Sequence, residues 1–159
     1  AKGRWVSNAI NTMLLSNLGA ARCLQKFNAT SCTDVTGFGL LGHLVEMTRA
    51  SNVDAELHID AIPILDGAKD TVAAGILSSL QPQNVRLRRA IDNIKLASGH
   101  PAYPLLFDPQ TAGGLLAGVP ADNVDECVTT LNEIGYTTAC IVGEVKCAGT
   151  ENAPIKIMI

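Results

Sequence analysis

Asp54-Ala55-Glu56-Leu57-His58-Ile59-Asp60 is the stretch that decides the class of fold. Ala55, Leu57 and Ile59 alternate with charged or titratable neighbours, which is the period of a strand with one buried and one wet face. That pattern suits an antiparallel or edge position. A strand inside an all-parallel doubly wound sheet is covered on both faces and reads as a continuous apolar run.

Working outward, residues 5–26 read as one helix, with Val6, Ile10, Met13, Leu14, Leu18, Ala21 and Leu24 on one stripe. Asn28 ends it. Ser31–Val35 reads as a short strand that runs into a glycine-rich turn, and Leu40–Ser51 returns to helical spacing. Beyond the central strand, Leu65–Ala74 reads as a helix closed by Gly75, Gly75–Asn84 as a loop and Val85–Ala97 as a helix. Ser98–Pro104 is a loop broken by Pro101 and Pro104. Leu105–Phe107 and Leu115–Val119 read as strands. Pro120 starts a helix that Asp122 can cap and Gly135 stops. Ala139–Val145 and Ile155–Ile159 complete the strands. The sum is an α/β (α+β) domain, a mixed β-sheet covered by helices.

The chain has 159 residues, enough for one domain (1–159) with its own core. Hydrophobic residues make up 47% and charged residues 17%, against a usual share of about 25%. The mean hydropathy is +0.22. Such a chain buries enough apolar surface to fold, which argues against disorder. Its longest charge-free run, Trp5–Ala21, is interrupted by Ser and Asn, so no membrane span is expected. A net charge of −3 without a basic block gives no reason to expect nucleic acid. The scarcity of charge and the start at Ala1-Lys2-Gly3 suggest a piece of a larger protein, with an apolar face set against a missing partner. The five cysteines, Cys23, Cys32, Cys127, Cys140 and Cys147, form no C-x-x-C and read as free thiols in a reducing compartment.

Gly37-Phe38-Gly39-Leu40-Leu41-Gly42 has the G-x-G-x-x-G form between a strand and a helix, and Asp60 lies 18 positions after Gly42. This is nearly the dinucleotide fingerprint. Asp34 argues against it, because a carboxylate just ahead of the loop repels pyrophosphate. Asp34 makes sense there when a divalent cation lies between, and it suits Mg²⁺, a hard ion that shares phosphate oxygens with one or two carboxylates. The alternative is a tight structural turn whose glycines serve a positive φ or close packing. Thr33 and Thr36 either donate to phosphate or cap the turn. His43 reads as a surface or satisfied core residue rather than a ligand.

Asp108-Pro109-Gln110-Thr111-Ala112-Gly113-Gly114 repeats the logic: an Asp ahead of a donor-rich, glycine-bearing turn. Alone it reads as a structural turn, and two such loops in one domain favour a site. Arg86, Arg88 and Arg89 form either a solvated face or a phosphate or domain contact.

At these two loops the chain resembles selenophosphate synthetase (selenide, water dikinase). The matching strings are Thr33-Asp34-Val35-Thr36-Gly37-Phe38-Gly39-Leu40-Leu41-Gly42-His43-Leu44 and Asp108–Leu116, with Ala61-Ile62-Pro63 and Ile141-Val142-Gly143 in similar segments. The family commonly has Ser where this chain has Ala112. The resemblance implies a fold like the C-terminal domain of aminoimidazole ribonucleotide synthetase, and a chain that is the C-terminal domain of a larger enzyme. It implies ATP-dependent phosphorylation of selenide to selenophosphate, with AMP and phosphate as products and Mg²⁺ and ATP as cofactors. The implied setting is a cytoplasmic homodimer, in which a missing N-terminal domain carries the nucleophilic Cys or Sec. Asp34 would then hold metal. Thr33, Thr36, Gly37 and Gly39 would form the phosphate-side loop, with Asp108, Gln110 and Thr111 lining the same wall. The fragment alone would be inactive. The competing readings are a non-catalytic binding or assembly module of the same superfamily and a dinucleotide-binding redox domain.

Overall fold

A computed structural model describes residues 1–149 and 153–159. The first expected helix is two: α1 (Gly3–Met13) and α2 (Leu18–Lys26). The break falls at Ser16, whose Oγ accepts the Leu18 N–H at 3.2 Å and whose carbonyl accepts the Tyr136 hydroxyl at 2.7 Å. Serine thus offers the chain an alternative to helical bonding. No residue of α1 is buried. Its Trp5 ring lies against Gly67, where a side chain would overlap it. Val6, Ile10 and Met13 are about half exposed, and Leu14 is 77% exposed.

β1 (Ser31–Asp34) leads through the glycine turn into α3 (Gly39–Ser51), and Asn52 ends α3 in the left-handed conformation at φ 52°. β2 (Val53–His58) follows. The short helices α4 (Ala68–Ala73), α5 (Gln81–Asn84) and α6 (Ile94–Ala97) come next, then β3 (Leu115–Gly118), α7 (Ala121–Glu133), β4 (Gly143–Cys147) and β5 (Ile155–Met158). Asp122 makes no capping hydrogen bond. The N-cap is Pro120, and Asp122 sits in the first turn of α7, where its charge favours the helix dipole.

The mixed α/β class holds, but the expected single sheet is two. β1 pairs antiparallel with β3, and β2 lies between antiparallel β4 and parallel β5. Ala55 and Leu57 are buried as expected. The strand stops at His58 rather than Asp60, because β4 starts opposite Leu57 and β5 ends opposite His58. Ile59–Ala61 then forms a 3-10 turn that still buries Ile59. On the wet face, Glu56 lies between Lys146 and Lys156, at 3.6 and 3.2 Å.

Four other expectations change. The end of the expected loop Gly75–Asn84 is helix α5. Val85–Ala97 is a 3-10 turn (Val85–Ala90) and α6, separated where Ile91 bridges Ile155 and Asn93 pairs with both the N–H and the carbonyl of Ile157. The chain opens there to satisfy the outer edge of β5. Leu105–Phe107 is part of a 3-10 turn (Tyr103–Phe107) with Pro104 in its first turn, where a missing N–H costs nothing. The strand expected at Ala139–Val145 starts later, at Gly143, because the Asn132 amide binds the Ala139 carbonyl at 3.1 Å.

The β1–β3 ribbon separates two cores. Leu116 packs toward the larger one, which holds Leu41, Leu57, Ile59, Leu106, Phe107 and Ile157 between α3 and the three-stranded sheet. Leu115 and Ala117 pack toward the smaller one, where Cys23, Leu24 and Phe27 meet Cys127 and Leu131. Alternate residues of one four-residue strand therefore serve opposite cores.

Candidate functional site

β1 and β3 place the two loops side by side, since Asp34 is opposite Leu115 and the Val35 N–H donates to the Gly114 carbonyl at 2.9 Å. The Thr36–Gly37 peptide is where they join. The Gly39 and Gln110 N–H groups both donate to the Thr36 carbonyl at 3.0 Å, one from each loop. The Thr36 N–H donates to Nε2 of buried His43 at 3.0 Å, and the Thr36 hydroxyl lies 3.2 Å from the same atom. Nε2 therefore carries the lone pair and Nδ1 the proton. Nδ1 lies 3.4 Å from Glu46 Oε2 without hydrogen-bond alignment.

Glycine is required at specific positions. Gly39 has φ +70°, and a Cβ there would lie 2.8 Å from the Phe107 carbonyl carbon. A Cβ on Gly113 would overlap the Val35 carbonyl oxygen, whereas Gly37 and Gly114 face open space. The Gly37 and Phe38 N–H groups find no acceptor among the described residues.

The predicted site residues divide. Thr36, Gly37, Gly39, Asp108 and Gln110 belong to the joined loops. Thr33 and Asp34 are adjacent on β1 and so point to opposite faces. The Thr33 hydroxyl donates to the Asp34 carbonyl at 3.1 Å, and the Gln110 side-chain amide to Asp108 Oδ2 at 2.8 Å. Thr111 is exposed. Asp108 is half-buried. Desolvation pushes its carboxyl above the ordinary range, against the opposing hydrogen bond from Gln110. The Asp34 side chain is exposed. Burial, and then the Asp34 carboxylate, push the Cys32 thiol up, so Cys32 stays protonated beside it. Among the described residues no group of three or more His, Cys, Asp or Glu can hold a metal ion. One exposed carboxylate still fits Mg²⁺, which retains waters and needs one or two carboxylates alongside phosphate oxygens.

Sequence reasoning missed two residues. Asn84, read as loop, is 6% exposed and donates to the Gly37 carbonyl in the glycine turn and the Phe107 carbonyl just ahead of the second loop. Asn17 donates to the Gly113 carbonyl at 3.0 Å. His43, expected on the surface or in the core, is a core residue whose Nε2 is bonded to the loop backbone while its Nδ1 has no hydrogen-bond partner. No local pattern marks these side chains.

The antiparallel partner of β1 counts against the dinucleotide reading, which needs a parallel sheet at that turn. Residues 8–155 match the family described as AIR synthase related protein, C-terminal domain. The chain belongs to that family. The chain is 36% identical over 138 residues to the selenide, water dikinase of Geobacter metallireducens, covering 87% of this chain and 40% of the relative. It is 36% identical over 140 residues to that of Clostridioides difficile, covering 86% and 39%. With that of Burkholderia ambifaria it shares 38% over 115 residues, covering 71% and 32%. The chain thus spans about two fifths or less of these relatives. Among the described residues no helix is long and apolar enough to cross a membrane.

Proposed function

We propose that this chain is the C-terminal domain of a selenophosphate synthetase. The parent enzyme converts ATP, selenide and water to selenophosphate, AMP and phosphate. The observation that carries this reading is the joining of the two loops at the Thr36–Gly37 peptide, beside an exposed Asp34. The unsatisfied N–H groups of Gly37 and Phe38, at the start of α3, suit an anionic oxygen, since a helix N-terminus is electropositive. Asp34 would hold Mg²⁺, which neutralises phosphate charge when bound. Gly37, Gly39 and Thr36 would form the phosphate side, with Asp108, Gln110 and Thr111 as the adjoining wall; Thr33, on the opposite face of β1 from Asp34, would lie outside it. No side chain here serves as the nucleophile, which the remaining part of the enzyme would supply.

That part would pack on the apolar face of α1 and the exposed Phe38 beside the glycine turn. The parent would be a cytoplasmic homodimer. The five unpaired thiols support a reducing compartment.

The test uses the intact enzyme and follows ATP, AMP and selenophosphate by phosphorus NMR. Asp34→Ala is expected to lower turnover about 100-fold or more, as loss of a metal ligand does, with thermal stability unchanged. Full activity of the variant overturns the metal role. This chain alone is expected to turn over no ATP, and activity is expected to return when the remaining part is supplied.

A further inference from the structure

We propose that Asn84 is a positioning residue that makes the two loops behave as one unit. This rests on the reading of those loops as one ligand-facing wall. Asn84 ends α5, and its Nδ2 donates to the Gly37 carbonyl at 2.9 Å and to the Phe107 carbonyl at 3.0 Å. Gly37 lies in the glycine turn, and Phe107 immediately precedes Asp108. Both neighbours are carbonyl oxygens, which only accept, so the amide nitrogen must face them.

One turn earlier, buried Gln81 donates to the Pro104 carbonyl at 2.7 Å. Residues three apart share a helix face, so both amides of α5 point the same way. Gln81 fixes α5 to the Tyr103–Phe107 turn, and Asn84 extends that anchor across to the glycine turn. The Thr36–Gly37 peptide is then held by His43 on its N-terminal side and by Asn84 on its C-terminal side. With those contacts made inside the protein, the Gly37 and Phe38 N–H groups face outward. Loss of Asn84 frees the Gly37 carbonyl to rotate, and rotation of one peptide redirects the next N–H.

The experiment compares Asn84→Ala with Asn93→Ala in the intact enzyme. Asn93 also makes two side-chain bonds to backbone, both to Ile157, and touches neither loop. Hydrogen exchange is read at the Gly39 and Gln110 amides, together with AMP formation from ATP and selenide well below the melting temperature. Asn84→Ala is expected to speed exchange at both amides together by about tenfold. It is expected to lower turnover about 10- to 100-fold, the usual effect of a misplaced site. Asn93→Ala is expected to lower stability and do neither. The proposal is overturned if exchange at the two amides is unchanged or rises at only one. It is also overturned if turnover falls only with the folded fraction. If the wild-type enzyme forms no AMP from ATP and selenide, the functional reading fails, and exchange alone decides the coupling. Asn84→Asp, of similar size but without donors at that position, replaces Asn84→Ala if the latter does not fold.

Discussion

The glycine turn after β1 and the Asp108–Gly114 loop look alike in sequence, yet different forces hold them. Each contains one glycine packed against backbone, Gly39 or Gly113, and one facing open space, Gly37 or Gly114. Each begins near an aspartate. The first loop is fixed from beneath by two buried side chains, His43 and Asn84, both 6% exposed. The second is held by backbone bonds to the first, by half-buried Asn17 and, just ahead of it at Phe107, by the same Asn84. Asp34 is exposed, while Asp108 is partly desolvated and hydrogen-bonded within its own loop. Similar local sequence therefore yields one carboxylate available to an incoming cation and another fitted into the protein.

The largest test of this contrast is Gly113→Ala. Its Cβ would enter the Val35 carbonyl and push the loops apart, so urea denaturation should show a loss of about 3 kcal/mol, the upper end for overpacking. His43→Leu leaves the Thr36 N–H without its acceptor and should cost about 2 kcal/mol, the penalty of an unpaired buried donor. A neutral effect would mean that the first loop does not depend on its buried anchor.

Asp108→Asn should act in the opposite direction. The folded protein holds the Asp108 proton more tightly than the unfolded chain does. Stability from this group is therefore present below the ordinary carboxylate pKa of about 3.9 and falls as pH rises through the elevated folded value. The Asn variant should be more stable than wild type at pH 7 by roughly 0.5 kcal/mol, since partial solvent exposure screens the effect. That advantage should vanish in melts below about pH 4. Gly114→Ala should be smallest, within about 0.5 kcal/mol, because nothing lies near its added methyl. A large loss there would show that the second loop is packed as tightly as the first.

Legibility in the sequence followed the range of the physics. The amphipathic β2, the helices α3 and α7 and the stop at Gly75 arise from spacing or backbone preference within a few residues. The break at Ser16 and the 3-10 turn at Tyr103–Phe107 were missed because distant groups determine them: Tyr136 binds the Ser16 carbonyl, and Gln81 binds Pro104. The glycine strings marked where the loops are, although neither string indicates which donors remain free.

By itself the sequence determined the mixed α/β class, the positions of both glycine loops and the alternating faces of β2. These depend on periodicity, local φ preference and composition. Tertiary structure alone decided that the strands form two sheets and that β3 serves two cores. It also decided that Thr33 and Gln110 spend their donors locally, and that Asn84 joins Gly37 to Phe107. A hydrogen bond is short-ranged in space but indifferent to separation along the chain, so its partner is settled only when the elements pack.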